Sequence, residues 1–181
     1  FSEDPYLTGV CACEITKGVQ NDRPVIVCPK HFAANEQETF RRGNAGKNVD
    51  AVDSILTERA LRELYLKPFE MLVKDAGIAC IMTSFNKING SFAGGSHDLC
   101  THILREEWGF EGAVVTDWGD MDMVVDGADA VAAGNDIVMP GGPPVIRQIL
   151  KGYEEGRVTR EELEQAVRHL LIMIKRIRLA D

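Results

Sequence analysis

The chain has 181 residues, 45% of them hydrophobic and 7% aromatic, and a formal net charge of −8 at pH 7. That length and apolar content fit one globular domain with a core of its own. The acidic balance argues against a nucleic-acid binder, which needs a basic stripe, and no apolar run is long enough to span a bilayer. Cys11, Cys13, Cys28, Cys80 and Cys100 form neither a C-x-x-C pair nor a zinc spacing. An odd count without a disulfide framework favours a reducing, cytoplasmic location.

Residue 1 is Phe, and Phe1-Ser2-Glu3-Asp4-Pro5 does not resemble a signal peptide, so the chain reads as beginning inside a longer one. From Pro5 to Gln20 the apolar residues Leu7, Val10, Cys11, Ile15 and Val19 keep nearly helical spacing. Asn21-Asp22-Arg23-Pro24 is a turn, and Val25-Ile26-Val27-Cys28 a short apolar strand cut off by Pro29. Lys30-His31-Phe32 follows directly, then Arg41-Arg42 and a Gly/Asn-rich loop from Gly43 to Asn48.

A helical segment runs from about Asp53 to Asp75. Pro68 cannot sit in a helix interior, so two helices are expected to meet near Leu66-Lys67-Pro68, the second ending at Gly77. Ile78 to Thr83 is another buried strand, followed by the polar segment Ser84 to Gly90. Ser96 suits the N-cap of a helix reaching about Glu107, with Gly109 past its end. Gly112-Ala113-Val114-Val115-Thr116 is a third strand, and a helix from about Met121 to Ala133 leads to a fourth, Asp136-Ile137-Val138-Met139. Pro143 opens a helix ending near Gly156, and Thr159-Arg160-Glu161-Glu162 is a capping box for a last helix to about Arg178.

Strands alternating with helices predict a parallel sheet with right-handed crossovers. Each strand is short and uniformly apolar, and the polar signatures follow strands rather than precede them. That is the grammar of a (β/α)8 barrel, yet only about four strands are present where a complete barrel has eight. The expected fold is therefore α/β, the C-terminal half of a TIM-type barrel with flanking helices, over residues 1–181. No G-x-G-x-x-G or P-loop points to a nucleotide, and neither a cofactor nor a metal is expected.

The candidate centre of chemistry is Asp117, at the end of the third strand, with Trp118 beside it. Barrel enzymes place catalytic groups at strand C-termini, and an indole next to a carboxylate suits a sugar, whose C–H face packs on a flat apolar wall. An Asp after a strand is also compatible with a helix N-cap or a loop-forming role.

Several motifs in one order carry a resemblance to a family. They are Lys30-His31-Phe32 with Asn35, Gln37-Glu38 and Arg41; Glu58-Arg59-Ala60-Leu61-Arg62-Glu63; Met82-Thr83-Ser84-Phe85-Asn86 with Ile88-Asn89-Gly90; and Leu104-Arg105-Glu106-Glu107-Trp108-Gly109-Phe110 running into Thr116-Asp117-Trp118. Together they resemble the central to C-terminal part of the catalytic barrel of glycoside hydrolase family 3. The resemblance implies a retaining exo-β-glycosidase of the β-glucosidase type, acting on a β-linked glucoside or short oligosaccharide. It implies Asp117 as the nucleophile that forms a covalent glycosyl-enzyme. Lys30, His31 and Arg41 are implied as donors to sugar hydroxyls, with Trp118 as part of the subsite wall. A retaining mechanism needs a second carboxyl group roughly 5–5.5 Å from the first.

Other roles remain open for some of these residues. His31 fits a buried structural histidine and Lys30 a solvated loop residue, and Arg42 competes with Arg41. Glu36 and Glu38 read as loop-fixing groups, Asp120 and Asp122 as caps, and Trp108 and Phe110 as packing residues. His97, His102 and His169 receive no role. Two departures from the family matter. Phe85, also expected as a substrate-binding residue, stands where a Tyr is common and cannot hydrogen-bond the nucleophile. The loop Ala33 to Glu38 lacks the His/Asp pair of the N-acetylhexosaminidase branch. The resemblance thus points to the glucosidase/xylosidase branch, whose general acid is a Glu from a later domain. The chain alone is expected to be inactive, and to form a homo-oligomer through its open sheet edges. The alternative is a non-catalytic half-barrel module acting in sugar binding or protein interaction.

Overall fold

A computed structural model describes residues 1–21, 23–44, 47–118 and 124–178. Helix α1 spans Pro5–Gln20. Asp4 starts it by accepting the Leu7 N–H at 2.8 Å, with Pro5 in the first turn, where a missing N–H costs no hydrogen bond. The helix expected from Asp53 begins later. Asp53–Ser54 is strand β1, and helix α2 is Glu58–Ala60, capped by the Thr57 hydroxyl on the Ala60 N–H. It continues as a π-helical turn, Leu61–Tyr65, into α3, Lys67–Ala76. Pro68 occupies the first turn of α3, which is why the break falls where the sequence puts it. Gly77, at φ +60°, closes α3 in the left-handed region.

Strands β2 (Cys80–Met82) and β5 (Ala113–Val115) pair in parallel, with Ile81 opposite Val114. Single parallel bridges, Phe32 to Thr83 and Val115 to Ile137, add one segment on either side. The expected strands Val25–Cys28 and Asp136–Met139 do not form ladders, and the reasons are local. Pro29 has no N–H to give, although its carbonyl takes the Met82 N–H at 3.1 Å. On the other side the Asp136 carboxylate takes the Val114 N–H at 2.6 Å, and the Thr116 hydroxyl takes the Met139 N–H at 2.8 Å. Side chains thus occupy rungs that backbone carbonyls would fill.

A second sheet is absent from the sequence reading. Strand β3 (Lys87–Ile88) pairs in parallel with β1 and antiparallel with β4 (Ser91–Phe92). The turn between β3 and β4 is Asn89-Gly90, both at positive φ, the two-residue form that Asn-Gly favours. The helix expected from Ser96 is a π-helical segment, Asp98–Glu107, with Ser96 Oγ accepting the Leu99 N–H. Helix α4 is Gly127–Ala133, capped by Asp126. The expected start near Met121 is therefore corrected for residues 124–126, while residues 121–123 lie outside the described ones. Helices α5 (Pro143–Glu154) and α6 (Arg160–Arg178) fall where expected. The capping box forms in both directions, Thr159 N–H to Glu162 Oε2 at 2.6 Å and Glu162 N–H to Thr159 Oγ1 at 3.2 Å.

The main core joins α1, α3, β2, β5 and the 98–107 segment through Phe32, Leu66, Ile78, Ile81, Leu104 and Val114, all fully buried. Trp108 and Phe69 meet the Phe32 ring edge-on, at 6.0 and 5.2 Å. Trp108 and Phe110 are thus packing residues, as read. A smaller cluster of Phe85, Val124, Val125 and Ala130 supports the region around Asp117. The chain is α/β. β2 and β5 form its parallel ladder, with Phe32 bridged beside β2 and Ile137 beside β5.

Candidate functional site

Asp117 follows β5 by two residues and is only 7% exposed. Its Oδ1 accepts the Trp118 N–H at 2.6 Å. Its Oδ2 accepts Arg41 Nη1 at 3.3 Å, and His31 Nε2 lies 3.3 Å from that same oxygen. The helix cap in this part of the chain is Asp126, which takes the Ala128 N–H at 2.9 Å. Asp120 and Asp122 lie outside the described residues.

Arg41 is aimed by three contacts. Its Nε pairs with Glu38 Oε2 at 3.1 Å, while Glu38 Oε1 accepts Asn35 Nδ2 at 2.9 Å. Its guanidinium stacks 5.0 Å from the centre of the Phe85 ring. Arg42 also faces that ring, at 6.0 Å, but Arg41 is the one that reaches Asp117. Glu38 is a loop-fixing group, as its place in the sequence suggested. Phe85 meets Arg41, which in turn meets Asp117.

His31 comes just before the bridged residue Phe32, and the polar motif after β2 holds the loop behind it. Ser84 Oγ donates to the Ala33 carbonyl at 2.9 Å, and Asn86 Nδ2 to the Ala33 and Ala34 carbonyls at 3.2 Å each. Ser54 Oγ adds a bond to the Ala34 carbonyl at 3.0 Å. These donors are met by the carbonyls of a loop that has no ladder partners of its own, while Asn86 Oδ1 stays buried without a partner. Burial pushes the His31 pKa below its ordinary value; the Asp117 charge opposes that and the Lys30 and Arg41 charges reinforce it. His31 is therefore neutral near pH 7.

Lys30 is exposed and, among the described residues, makes no ion pair. Trp118 is 59% exposed, leaving its ring open to a ligand. The structure thus gathers His31, Arg41 and Asp117 into contact, sets Phe85 under Arg41, and leaves Lys30 and Trp118 at the rim. A cavity of about 680 Å³ lies beside them, lined by Lys30, His31, Asn35, Tyr65 and Phe69 but not by Asp117. His31 borders both spaces. On the Asp117 side two nitrogenous side chains converge on one carboxylate oxygen. Among the described residues no group of three or more His, Cys, Asp or Glu is arranged to hold a metal, and no helix is long and apolar enough to cross a membrane.

Two polar groupings escaped the sequence reading. Asp136 and His169 meet at 2.8 Å, and Arg105 reaches the same carboxylate at 2.7 Å. Cys28 and Cys80 lie level with each other on neighbouring extended segments. Neither pairing has a spacing signal, since each joins distant segments.

The pattern described as the glycosyl hydrolase family 3 N terminal domain matches residues 1–173. The chain belongs to glycoside hydrolase family 3. The match lies in that N-terminal domain, which corrects the expected placement in the central to C-terminal part of the barrel. The chain is 38% identical over 179 residues to beta-glucosidase B of Emericella nidulans, covering 98% of this chain and 20% of that one. It is 39% identical to a beta-glucosidase of Rhizobium radiobacter, with the same coverage. The structure of beta-glucosidase 3B from Thermotoga neapolitana in complex with glucose matches with a TM-score of 0.86 at 38% identity, over 99% of this chain and 25% of that one. The chain thus spans about a fifth of the length of the curated relatives it matches.

Proposed function

We propose that this chain is the nucleophile-bearing part of a retaining exo-β-glucosidase, with Asp117 as the residue that forms the glycosyl-enzyme. The convergence of Arg41 and His31 on one oxygen of a nearly buried carboxylate carries this reading. Those contacts hold the carboxylate in one orientation. Oδ2 is held by side chains, and Oδ1 by the Trp118 backbone. Lys30 and His31 are the hydroxyl donors, and the exposed Trp118 ring is the wall on which the sugar's apolar face rests. The substrate class is a β-linked glucoside, in keeping with relatives named beta-glucosidases and a neighbour solved with glucose.

One parallel ladder with a bridged residue on either side fits part of a (β/α)8 barrel. Asp117 at the exit of β5 then stands on the face where such barrels work. In this reading the general acid comes from polypeptide beyond these 181 residues. Glu38 is tied instead to Arg41 and Asn35, which places the guanidinium.

An activated 2-deoxy-2-fluoro-β-glucoside tests the reading. Its leaving group departs without an acid, and the fluorine slows hydrolysis of the glycosyl-enzyme, so the covalent species accumulates. In the full-length protein the expected result is one sugar adduct on the Asp117 peptide. Glucose binding with no adduct favours the non-catalytic module, and an adduct on another acid overturns the assignment.

A further inference from the structure

The pairing of Cys28 with Cys80 lies outside everything assigned above. Cys80 opens β2, opposite Ala113, and Cys28 lies on the extended segment along the other edge of β2. The two backbones are locked together at that point. Pro29 O accepts the Met82 N–H at 3.1 Å, Phe32 N–H donates to Met82 O at 2.8 Å, and Phe32 bridges Thr83. The Met82 N–H to Pro29 O bond sets Pro29 level with Ile81 and so Cys28 level with Cys80, and neighbouring strands bring α-carbons within the range a disulfide spans. Both residues are half-buried rather than sealed, whereas Cys13 and Cys100 are buried.

We propose that Cys28 and Cys80 form a dithiol site that is oxidised to an intrachain disulfide by a small-molecule disulfide. Cys80 is the attacking thiol. The neighbouring Cys28 thiol holds the Cys80 pKa below the ordinary thiol value, and the Cys28 pKa is raised well above it. The Cys80 thiolate attacks one sulfur of the oxidant, forming a mixed disulfide and expelling the other half as a thiolate, which takes up the Cys80 proton. Cys28 then attacks the Cys80 sulfur, breaks the mixed disulfide and releases the second half as a thiol carrying the Cys28 proton. The protein dithiol loses two electrons and the small disulfide is reduced to two thiols. The bond formed ties the segment carrying Lys30 and His31 to β2.

The test is equilibration of the full native chain with glutathione buffers of rising oxidised fraction, quenching with an alkylating agent, and peptide mapping. A linked Cys28–Cys80 peptide whose yield rises with oxidised glutathione is expected, with Cys13 and Cys100 recovered as alkylated thiols. A linkage between other cysteines, or none at all while Cys28 and Cys80 are alkylated, overturns the proposal. In Cys28→Ser the mixed disulfide should be trapped on Cys80. Trapping at Cys28 in Cys80→Ser at an equal rate overturns the assigned order of attack. Should either variant fail to fold, phenylarsine oxide with the unaltered chain replaces it. One arsenic bound across Cys28 and Cys80, protecting both from alkylation, is expected, and no protection counts against the site.

Discussion

The guanidinium of Arg41 bridges to Asp117 across 76 positions of sequence, Nη1 to Oδ2 at 3.3 Å, while its Nε holds Glu38 at 3.1 Å. One planar fork thus serves two carboxylates and rests on Phe85. A lysine has a single ammonium and cannot do all three. Arg41→Lys should lower kcat/KM of the full-length protein about 10–100-fold, the equivalent of one charge-assisted hydrogen bond of about 1.5–3 kcal/mol. Steady-state kinetics beside circular dichroism measure this. An unchanged kcat/KM would detach Arg41 from the reaction.

Asp117→Asn keeps the side-chain shape and removes the nucleophile. Turnover should fall on the order of 10⁴-fold or more, with the unfolding midpoint little changed. Glu38→Gln should give a milder loss, because it acts only by placing Arg41. A variant at Asp117 that keeps a tenth of the activity would mean that another group attacks the sugar.

His31 and His102 should titrate in opposite senses. Burial lowers the His31 pKa, so this residue's contribution to stability is present above about 6.5 and is lost as pH falls through the folded value. The hydrogen bond to Glu106 raises the His102 pKa, so its contribution is present below about 6.5 and is lost as pH rises through the folded value. Imidazole nitrogen shifts followed by NMR should place the His31 midpoint below that of His102. Asp117→Asn should lower the His31 midpoint further, and Glu106→Gln should return His102 toward its ordinary value. A His31 midpoint above about 6.5 would mean that the Asp117 charge outweighs burial.

The legible parts of this chain were those with a local physical cause. Pro68 and Gly77 mark helix ends by their own backbone constraints, and Thr159 with Glu162 by a three-residue spacing. Asp117 was readable from its place after Gly112 to Thr116. The convergence of His31 and Arg41 on it was not, since that contact depends on how a loop folds back over β2. The small sheet was missed although Asn89-Gly90 announced a hairpin, because its strands are too short to show alternation. Strands 25–28 and 136–139 were over-read. Apolar runs mark burial, but whether a ladder forms depends on Pro29 and on competing acceptors such as Asp136.

Gly152 is a helix-interior glycine that ought to be retained. In most helices Gly→Ala gains up to about 1 kcal/mol. Here an added methyl would overlap Ala128 Cβ, where α5 crosses α4, and overpacking of this kind costs about 1–3 kcal/mol. Gly152→Ala should therefore destabilise, and Ala128→Gly in the same chain should recover part of the loss. At Gly18 in α1 an added methyl would meet no atom within 4 Å, so Gly18→Ala should stabilise by about 0.5–1 kcal/mol. Equilibrium urea unfolding of the three variants compares the signs directly. A stabilised Gly152→Ala would show that α5 shifts freely on α4.

Asp136 is the strongest stability prediction, because it is a buried charge with all its partners named. The side chain is 2% exposed, and Arg105, opposite it, is 11% exposed. Oδ2 accepts Arg105 Nη2 at 2.7 Å and the Val114 N–H at 2.6 Å, while Oδ1 meets His169 Nδ1 at 2.8 Å. Arg105 also donates to the Gly112 and Gly134 carbonyls, at 3.0 and 3.1 Å. This one carboxylate therefore joins β5, the 98–107 segment and α6. Asp136→Ala would leave a guanidinium uncompensated in the interior, which costs about 3–5 kcal/mol. Breaking the exposed Arg160–Glu164 pair with Glu164→Ala should cost no more than about 0.5 kcal/mol. Asp136 stands before the bridged residue Ile137, at the opposite end of the parallel segments from Asp117, which follows β5. Near the melting transition Asp136→Ala should therefore cut the folded fraction without changing the KM of the molecules that remain folded. A denaturant midpoint within error of the parent would show that Arg105 finds other partners, and the three elements would then be held by packing alone.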